Sequence, residues 1–469
     1  MFGYLHAYSY LEPMINSSEN RCDRRAFDVA VAGGGVAGIA AAHSAARRGA
    51  RTCLIERYGF LGGMATAAMV CPFMSHRSST GQPLVAGFFE ELRGRLAEMD
   101  AIVENSFDVE ALKFVAQEML LDAGVELVLH SWVTGVEMRN DSIAELALRT
   151  KGGEERVAAS VFVDATGDGD VAFSAGAPFQ KGRAEDGAMQ AMTLKFDIAG
   201  VDLHAALEWV KANPDQVRFP KIEPGTDIRQ MLKGVVSIAG YYDLVKQAKE
   251  KGELNVPGDL VFFISRPRPG EVVVNTTHIG MVDGTRSEDL TRAEIEGRRQ
   301  MMSLMRFFRD CAPGFESCYL ARSGVQVGVR ETRRITGEYV FTAEDVEAAR
   351  KFPDAIGRLA YWVDVHSPKG EGYTRGEETT RRLAPPPGDW YEIPYRCLLP
   401  LGVRNLLIAG KCVSSTHEGH GAIRVMPSCM AMGQAAGTAA AIAASAGVSP
   451  KEIDVEKLLS ALREAGALV

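Results

Sequence analysis

The chain lacks the cysteine spacings that build metal sites and redox-active disulfides. Its eight cysteines are scattered over 469 residues, and none forms a CxxC or CxxxxC sequence. This argues against thiolate metal sites and against the chemistry of disulfide reductases. We expect most of these cysteines to be buried, small apolar side chains in a protein from a reducing compartment.

Basic runs are equally scarce. The formal net charge is -8, and a basic run such as residues 330–334 is short. Nucleic acids and anionic membrane surfaces select broad basic patches. We therefore expect neither as a partner, and an RNA-modifying function is disfavoured.

Long hydrophobic runs are missing too. The most apolar segment, residues 429–444, consists of small side chains interrupted by glycines, which is typical of a buried helix rather than of a membrane span. Residues 1–26 contain no apolar core of signal-peptide length, and we expect them to form an N-terminal arm. These features predict a cytoplasmic protein without a membrane partner, and they leave a homo-oligomer open.

Glycine, in contrast, is abundant, and the first glycine-rich motif is GGGVAG at residues 33–38. A strand is predicted before it over residues 27–32, a helix over 36–48, and a second strand over 51–56, which together form a parallel βαβ unit. Such glycines let the backbone approach a pyrophosphate at the helix N-terminus. In such units an acid about 20 residues further along the chain, at the end of the second strand, binds the ribose. A turn without a ligand is the alternative. The candidate nucleotide-binding residues are Gly33, Gly35, Val36, Ala37, Gly38 and Glu56.

A second glycine pair follows directly, in the sequence RYGFLGGMAT at residues 57–66. An NAD site does not need this loop. FAD is longer, and glycines let a loop run close to such a cofactor; an ordinary turn is the alternative. The candidate FAD-binding residues in this loop are Arg57, Gly62, Gly63, Met64, Ala65 and Thr66.

The third motif, DATGDGD at residues 164–170, ends an apolar strand that closes a predicted β-meander over 125–163. Its backbone is placed to face the adenosine half of FAD. The candidate residues are Ala165, Thr166, Gly167 and Asp168, together with Val133 of the meander. The alternating acids also suggest a calcium loop, but the terminal Glu of an EF-hand is missing, and we expect no metal.

The most informative stretch is residues 410–437, which combines the end of a strand, two histidines, an arginine and a helix of small residues. The helix is expected to begin near Val425 and to turn its positive N-terminus toward the flavin edge that gathers negative charge on reduction. The candidate cofactor residues are Gly410, Lys411, Gly421, Arg424, Val425 and Met426. His417 and His420 are candidates for proton transfer, with buried, hydrogen-bonded histidines as the alternative. A metal site would need a third ligand.

Five segments of the chain together resemble the FAD-dependent oxidoreductase family, which has the glutathione-reductase-like fold with two dinucleotide-binding motifs. They are residues 28–38, 56–66, 161–170, 327–340 and 392–443. The resemblance covers residues 27–469 and implies FAD as the cofactor, while many members have no assigned substrate.

A more distant likeness concerns the HGAIR sequence at residues 420–424. It is similar to the HGAxR sequence of fumarate reductases and succinate dehydrogenase flavoproteins, in which the Arg holds a substrate carboxylate beside the flavin. The likeness implies that Arg424 binds an anionic substrate or lies against the flavin. Val-Met-Pro follows the Arg here, where those proteins continue with Leu-Gly-Gly.

Candidates for the opposite wall of the site come from the middle of the chain. Residues 330–334 form a charged cluster after a strand-like run, and alternation in the sequence WVDVH at residues 362–366 places its Trp, Asp and His on one face. A solvated charged face or an ion pair between domains is the alternative. The candidate catalytic and substrate-anchoring residues are His417, His420, Arg424, Arg330, Arg333 and His366.

These patterns predict an α/β protein in which an α+β substrate or cap domain is inserted into a Rossmann-like FAD-binding domain with a parallel sheet and a β-meander. The FAD-binding domain takes residues 27–75, 105–180 and 396–469, and the substrate domain takes 76–104 and 181–395. The predicted function is a dehydrogenase or oxidase that transfers a hydride between a small, polar organic substrate and flavin N5, and Arg424 leaves an anionic substrate open. No second complete GxGxxG unit is present, so we expect an unidentified external electron acceptor or donor. The alternatives are a fumarate-reductase-like enoate reductase and a non-catalytic electron-transfer subunit.

Overall fold

The computed structural model describes residues 24–372 and 383–469. Its helices are α1 (Val36–Arg47), α2 (Phe88–Glu98), α3 (Val109–Asp122), α4 (Asp170–Ser174), α5 (Leu203–Ala212), α6 (Ile228–Met231), α7 (Tyr242–Glu250), α8 (Ser287–Cys311), α9 (Ala343–Glu347), α10 (His417–Ile423), α11 (Met426–Ala446) and α12 (Val455–Glu464).

The strands of the described residues are β1 (Arg24–Ala32), β2 (Thr52–Ile55), β3 (Ile102–Val103), β4 (Ser106–Phe107), β5 (Glu126–Val128), β6 (Trp132–Arg139), β7 (Ser142–Thr150), β8 (Gly153–Asp164), β9 (Phe179–Lys181), β10 (Phe196–Ala199), β11 (Val217–Phe219), β12 (Ser237–Gly240), β13 (Val261–Ser265), β14 (Val272–Val274), β15 (Tyr319–Ser323), β16 (Arg333–Ile335), β17 (Ala355–Leu359), β18 (Tyr391–Pro394) and β19 (Leu406–Ile408).

The first sheet has the order β5-β2-β1-β8-β7-β6, with β19 beside β8. Strands β5, β2, β1, β8 and β19 run parallel, whereas β6, β7 and β8 form an antiparallel meander. The predicted fold class is confirmed. One detail is corrected: residues 126–128 pair in parallel with β2 rather than opening the meander, because α3 carries the chain back across the sheet before them.

Helices α1 and α11 cross over this sheet in close contact. A Cβ atom on Gly433 would lie 2.1 Å from the carbonyl oxygen of Ala37, and one on Gly437 would lie 1.9 Å from that of Ala41. The two glycines therefore allow close helix-on-helix contact. This contact fixes the N-termini of α1 and α11 relative to each other.

The second sheet has the order β11-β12-β13-β14-β10-β15, and its strands pair in an antiparallel manner. One face carries Phe196, Phe263 and Val274, which pack in a core cluster with Leu304 and Phe308 of α8. The opposite face lies toward the first sheet. Strands β13 and β14 form a hairpin in this sheet.

The ends of the described chain give two further results. The predicted arm at residues 1–26 lies outside the described residues up to position 23, and residue 24 already begins β1. The capping box of Ser449 and Glu452 closes a 3-10 turn, Pro450–Glu452, while the last helix has its own N-cap, Asp454.

The hydrophobic clusters bear on the proposed division into domains, which stays a prediction. Phe89 and Leu92 of α2 share a cluster with α1 and α11, as do Ile356 and Tyr391 of the β17–β18 pair. In the described part of the chain, no helix is long and apolar enough to cross a membrane.

Candidate active site

Two adjacent cavities share part of one wall. The first, called here the cleft, runs along the carboxyl ends of β1, β2, β8 and β19 and encloses about 1060 Å³. The second, called here the chamber, lies between the cleft and the second sheet and encloses about 1440 Å³; both figures include space open to solvent. Four residues line both cavities: Met64, Lys411, Arg424 and Met426.

Most of the residues predicted to bind the cofactor line the cleft. These are Gly33, Gly35, Val36, Ala37, Glu56, Arg57, Gly63, Met64, Ala65, Val133, Ala165, Thr166, Gly167, Asp168, Gly410, Lys411, Arg424 and Met426. Val425 lines the chamber instead. The structure does not place Gly38, Gly62, Thr66 or Gly421 on either wall.

Gly38 and Gly33 shape the turn between β1 and α1. Gly33 has φ +100°, and a Cβ atom there would lie 2.4 Å from the carbonyl oxygen of Ala165. A Cβ atom on Gly38 would lie 1.8 Å from the carbonyl oxygen of Gly33. No side chain caps the N-terminus of α1, and its first turn carries no acid. The helix therefore presents free amide groups and a positive dipole end to the cleft.

The second glycine pair lies against this turn. The amide of Gly62 donates to the carbonyl oxygen of Gly34 (2.8 Å), and a Cβ atom on Gly63 would lie 2.7 Å from Gly35 Cα. Thr66 donates to the carbonyl oxygen of Leu61 (2.7 Å) and closes the loop. Gly62 and Thr66 thus fix the position of the loop, although neither residue lines the cleft.

Glu56 is placed at the end of β2, on the cleft wall. Its Oε2 accepts from the amide of Gly34 (2.6 Å) and its Oε1 accepts from the amide of Tyr58 (2.9 Å). Each oxygen keeps a lone pair. The carboxylate therefore ties the two loops together and still has capacity to accept from a ribose hydroxyl.

The aspartate-rich loop after β8 is held by two cations. Lys411 donates from Nζ to the carbonyl oxygen of Gly167 and to Oδ1 of Asp168, both at 2.6 Å. Burial opposes ionisation of Asp168, but Lys411 and Thr332 hold the pKa of this carboxyl below its usual value. Arg333 donates to the carbonyl oxygen of Asp168 (3.0 Å) and to Asp170 (2.9 Å).

Arg333 is therefore not where the sequence suggested. It lies over the ring of Phe173 (4.2 Å) and contacts the back of the aspartate-rich loop, and it lines neither cavity. The reason is that β16 pairs with β9, which directs Arg333 toward α4 instead of toward the chamber. The expectation that Arg333 anchors substrate does not fit this position.

The two histidines of α10 are also away from both walls. His417 contacts Oε1 of Glu331 through Nδ1 (2.9 Å), and Glu331 also pairs with Arg334. His420 contacts the amide nitrogen of Gln190 through Nδ1 (3.4 Å) and is 1% exposed. Burial, with Arg424 and Arg334 nearby, lowers the pKa of His420 well below its usual value, so it is neutral near pH 7.

The burial of His420 changes the expected effect of replacing it. The sequence predicts that His420→Ala slows reduction of a bound flavin without releasing it. From its position we instead expect a loss of about 2 kcal/mol of unfolding free energy, because a buried ring is removed, with a nearly unchanged reduction rate. Urea unfolding and stopped-flow reduction of the same preparation measure both. A stable variant with a strongly slowed reduction would return His420 to the mechanism.

Arg424 lies at the boundary of the cleft and the chamber. Its Nη2 donates to the carbonyl oxygen (3.0 Å) and to Oδ2 (3.2 Å) of Asp364, while its buried Nε has no partner among the described residues. A Cβ atom on Gly421 would lie 3.0 Å from the carbonyl oxygen of Asp364. Gly421 therefore lets the segment at 361–366 approach α10 closely enough to orient Arg424.

His366 and Arg330 complete this wall of the chamber. His366 lies 3.5 Å from Oδ2 of Asp364 through Nε2. Burial and Arg330 lower the pKa of His366 to about 4. Although burial favours the neutral acid, His366, Arg424 and Arg330 hold the pKa of Asp364 below its usual value. As the alternation predicts, Trp362, Asp364 and His366 all line the chamber.

Several wall residues carry no sequence signal that we used. In the cleft they include Tyr58, Ser131 and the exposed Trp132. In the chamber they include Thr193, Lys195 and Asn275. The chamber residues belong to strands that are far apart in the chain, so only their register in the second sheet brings them together.

The fold and the cleft define the class of the protein. A parallel sheet has glycine-lined loops at its carboxyl edge, an uncapped helix N-terminus and an acid at the end of the second strand, which is the arrangement of a dinucleotide-binding oxidoreductase. The chain matches the family described as FAD dependent oxidoreductase over residues 28–462. It belongs to this family, and it is an enzyme that uses FAD.

Three solved structures that match the chain are a reductase-like protein, a halogenase and a monooxygenase. A geranylgeranyl bacteriochlorophyll reductase-like protein from Thermoplasma acidophilum is 14% identical, over 94% of this chain and 84% of that one, with a TM-score of 0.47. The myxobacterial chondrochloren halogenase is 15% identical, over 94% of this chain and 79% of that one, with a TM-score of 0.44. The p-nitrophenol 4-monooxygenase from Pseudomonas putida is 13% identical, over 94% of this chain and 81% of that one, with a TM-score of 0.39. No curated protein sequence matches the chain. At these scores, none of the three assigns a reaction.

The residues of the cleft fit FAD. The uncapped N-terminus of α1 suits the pyrophosphate, and Glu56 suits a ribose. The N-terminus of α11 also has no side-chain cap. Its first residues, Val425 and Met426, lie where the cleft meets the chamber, which suits a ring that gains negative charge on reduction.

Proposed function

We propose that this enzyme oxidises a small, polar, anionic organic substrate that is bound in the chamber, with hydride transfer to FAD in the cleft. The observation that carries the proposal is the shared wall. Because Met64, Lys411, Arg424 and Met426 line both cavities, a molecule in the chamber directly adjoins the inner end of the cleft. Hydride transfer requires such an adjoining, enclosed site.

The charges around the chamber favour an anion. Its wall carries the basic residues Lys195, Arg218, Arg330 and Arg424. The acidic residue on the same wall is Asp364. The fifth cation, Lys411, is paired with Asp168. More basic than acidic side chains line the chamber, which favours a carboxylate or a similar group on the substrate.

The residues of the chain have separate tasks in this reaction. Bound FAD supplies a two-electron acceptor. Arg424, fixed by Asp364, binds the substrate carboxylate from the shared wall, and Arg330 adds positive charge on the same wall. Apolar side chains such as Phe262 and Ile264 line the chamber and exclude water from the reacting carbon. An external electron acceptor then reoxidises the enzyme.

Anaerobic reduction of the yellow protein by candidate substrates tests this proposal. We expect hydroxy acids or amino acids to bleach the FAD absorbance, and neutral sugars and simple amines of equal size to leave it unchanged, because the chamber selects an anion. Stopped-flow absorbance at the flavin band measures the rate. Bleaching by neutral compounds alone would contradict the assignment of an anionic substrate.

A second candidate is reduction of an unsaturated acid, and the position of Arg424 favours it. An Arg beside the flavin end of the cleft can hold a carboxylate in either direction of hydride transfer. Protein reduced with dithionite and then mixed with unsaturated acids distinguishes the two, since only an enoate reductase is reoxidised by them. A subunit that only relays electrons has no use for an enclosed chamber lined with cations.

A further inference from the structure

One row of side chains crosses the second sheet and forms the floor of the chamber. The register of β10 and β14 pairs Phe196 with Val274. Lys195 directly precedes β10 and Asn275 directly follows β14, so the two residues lie opposite each other. The register of β13 and β14 places Phe262 next to Asn275 on the other side. Ala239 pairs with Phe262, and Phe219 pairs with Ala239.

All five residues of this row line the chamber. Directly paired residues of an antiparallel sheet point to the same face, with Cβ atoms about 5 Å apart. The row therefore runs from a polar end, Lys195 and Asn275, to an apolar end, Phe262, Ala239 and Phe219. The floor of the chamber therefore changes from polar to apolar across five neighbouring strands.

The polar end carries hydrogen-bonding capacity that the described residues do not use. Nζ of Lys195 donates to the carbonyl oxygen of Cys71 (3.3 Å), which leaves two of its donors for other partners. Oδ1 of Asn275 is buried and has no partner among the described residues, and the same holds for Oγ1 of Thr193. Thr193 lines the chamber two residues before Lys195.

Buried polar atoms without partners are rare, and a ligand in the chamber is one source of a partner for Oδ1 of Asn275, a residue that lines it. Oδ1 of Asn275 is an acceptor, so the ligand must present an O–H or N–H group there. Arg424 and Arg330 on the adjoining wall suit a carboxylate. The apolar end of the row suits a hydrocarbon or aromatic body.

We infer that the substrate is a carboxylic acid with an apolar body that carries a hydroxyl or amino group on the carbon to be oxidised, and that Lys195 takes the proton from that group. This inference rests on the proposed function. It names the substrate class and adds an acid–base residue that the sequence did not suggest.

The C–H bond breaks and its electron pair leaves with the hydrogen to FAD. The O–H or N–H bond breaks, its proton goes to Nζ of Lys195, and the bond from carbon to oxygen or nitrogen becomes double. Lys195 later releases the proton to water, and the external acceptor removes the two electrons.

The surroundings of Lys195 suit a proton acceptor near neutral pH. The side chain is 6% exposed. Burial, with Arg330 and Arg266 nearby, lowers its pKa to about 7, against the opposing influence of Cys71 and Asp197. A lysine with a lowered pKa is the neutral amine above that pH, so proton uptake becomes faster as the pH rises through about 7.

The first experiment measures recognition on the holoenzyme. The affinities of lactate, 3-phenyllactate, phenylalanine and 3-phenylpropionate are obtained from the perturbation of the FAD spectrum or from stopped-flow reduction. We expect 3-phenyllactate or phenylalanine to bind at least about tenfold more tightly than lactate, and 3-phenylpropionate to bind without reducing FAD. Asn275→Leu should weaken binding of the hydroxy or amino acid about tenfold and leave 3-phenylpropionate unaffected. Equal affinity for lactate and 3-phenyllactate would contradict the apolar end.

The second experiment measures proton uptake. Lys195→Met removes the amine at nearly equal length, and we expect the limiting rate of FAD reduction to fall about 10²- to 10⁴-fold and its rise through pH 7 to disappear. Binding of 3-phenylpropionate and the FAD content report whether the variant is folded. Lys195→Arg, which stays charged, should lose the same rise. Lys246→Met, at an exposed lysine, is the control.

The outcomes separate the two proposals. A wild-type protein whose FAD no acid reduces contradicts the proposed function. The affinities of the four acids then test the predicted ligand class independently of any reaction. A protein that acids do reduce, but whose Lys195→Met variant keeps the wild-type rate and pH profile, overturns the role of Lys195 alone.

Discussion

Arg424→Met is expected to slow substrate-driven reduction of FAD about a thousandfold while FAD remains bound. The arginine lies on the wall shared by the two cavities, where Asp364 holds its guanidinium in place. Losing one aligned, charged donor in an enclosed site has effects of this size. Arg424→Lys keeps the charge but not the planar fork, so we expect an intermediate rate. The rates come from anaerobic stopped-flow absorbance.

A second change separates the chemical role of Arg424 from its structural one. Without the guanidinium, the carboxylate of Asp364 loses its partner at 3.2 Å, and we expect a loss of about 2 kcal/mol in unfolding free energy. Adding Asp364→Asn to Arg424→Met should restore most of that stability but not the rate. A double variant that recovers the wild-type rate would show that Arg424 acts only by neutralising Asp364.

The other large effect concerns stability. Gly437→Ala is expected to lower the unfolding free energy by about 3 kcal/mol or to prevent folding, because its Cβ atom would lie 1.9 Å from the carbonyl oxygen of Ala41. Neither backbone can move without separating α1 from α11. The separation also displaces both helix N-termini at the cleft, so the variant should be purified with little FAD.

Gly94→Ala is the matched control for this prediction. Gly94 lies in α2, is exposed, and has no atom within 4 Å of a Cβ placed there. The same substitution should therefore raise the unfolding free energy by about 0.5–1 kcal/mol, through helix propensity alone. Urea unfolding of both variants checks the pair. Equal effects would mean that the contact of α1 with α11 is not tight.

Most residues that the sequence proposed for the cofactor lie together on the cleft, because their motifs are local. Residues 33–38 form a turn whose geometry depends on their own glycines and on the flanking strand and helix. The same holds for the 164–170 loop, whose position follows from the end of a buried strand. Glu56 could be assigned because the spacing from the first motif is a property of a βαβ unit.

The chamber could not be predicted in this way because it is built from pairings between distant strands. Lys195 and Asn275 are 80 positions apart and meet only through the register of β10 and β14. His417 and His420 misled for the opposite reason. They stand in a conspicuous local sequence, but α10, which the sequence did not reveal as a helix, directs both into the protein interior.

The most direct test of the account is a variant in which the chamber is filled. Ala239 lies on the chamber floor between Phe219 and Phe262, so Ala239→Phe places a ring where the substrate body is expected. The account predicts wild-type FAD content and wild-type reduction by dithionite, together with at least about a hundredfold slower reduction by the best organic acid. A filled variant that the acid still reduces at the wild-type rate would contradict the assignment of the chamber as the substrate site.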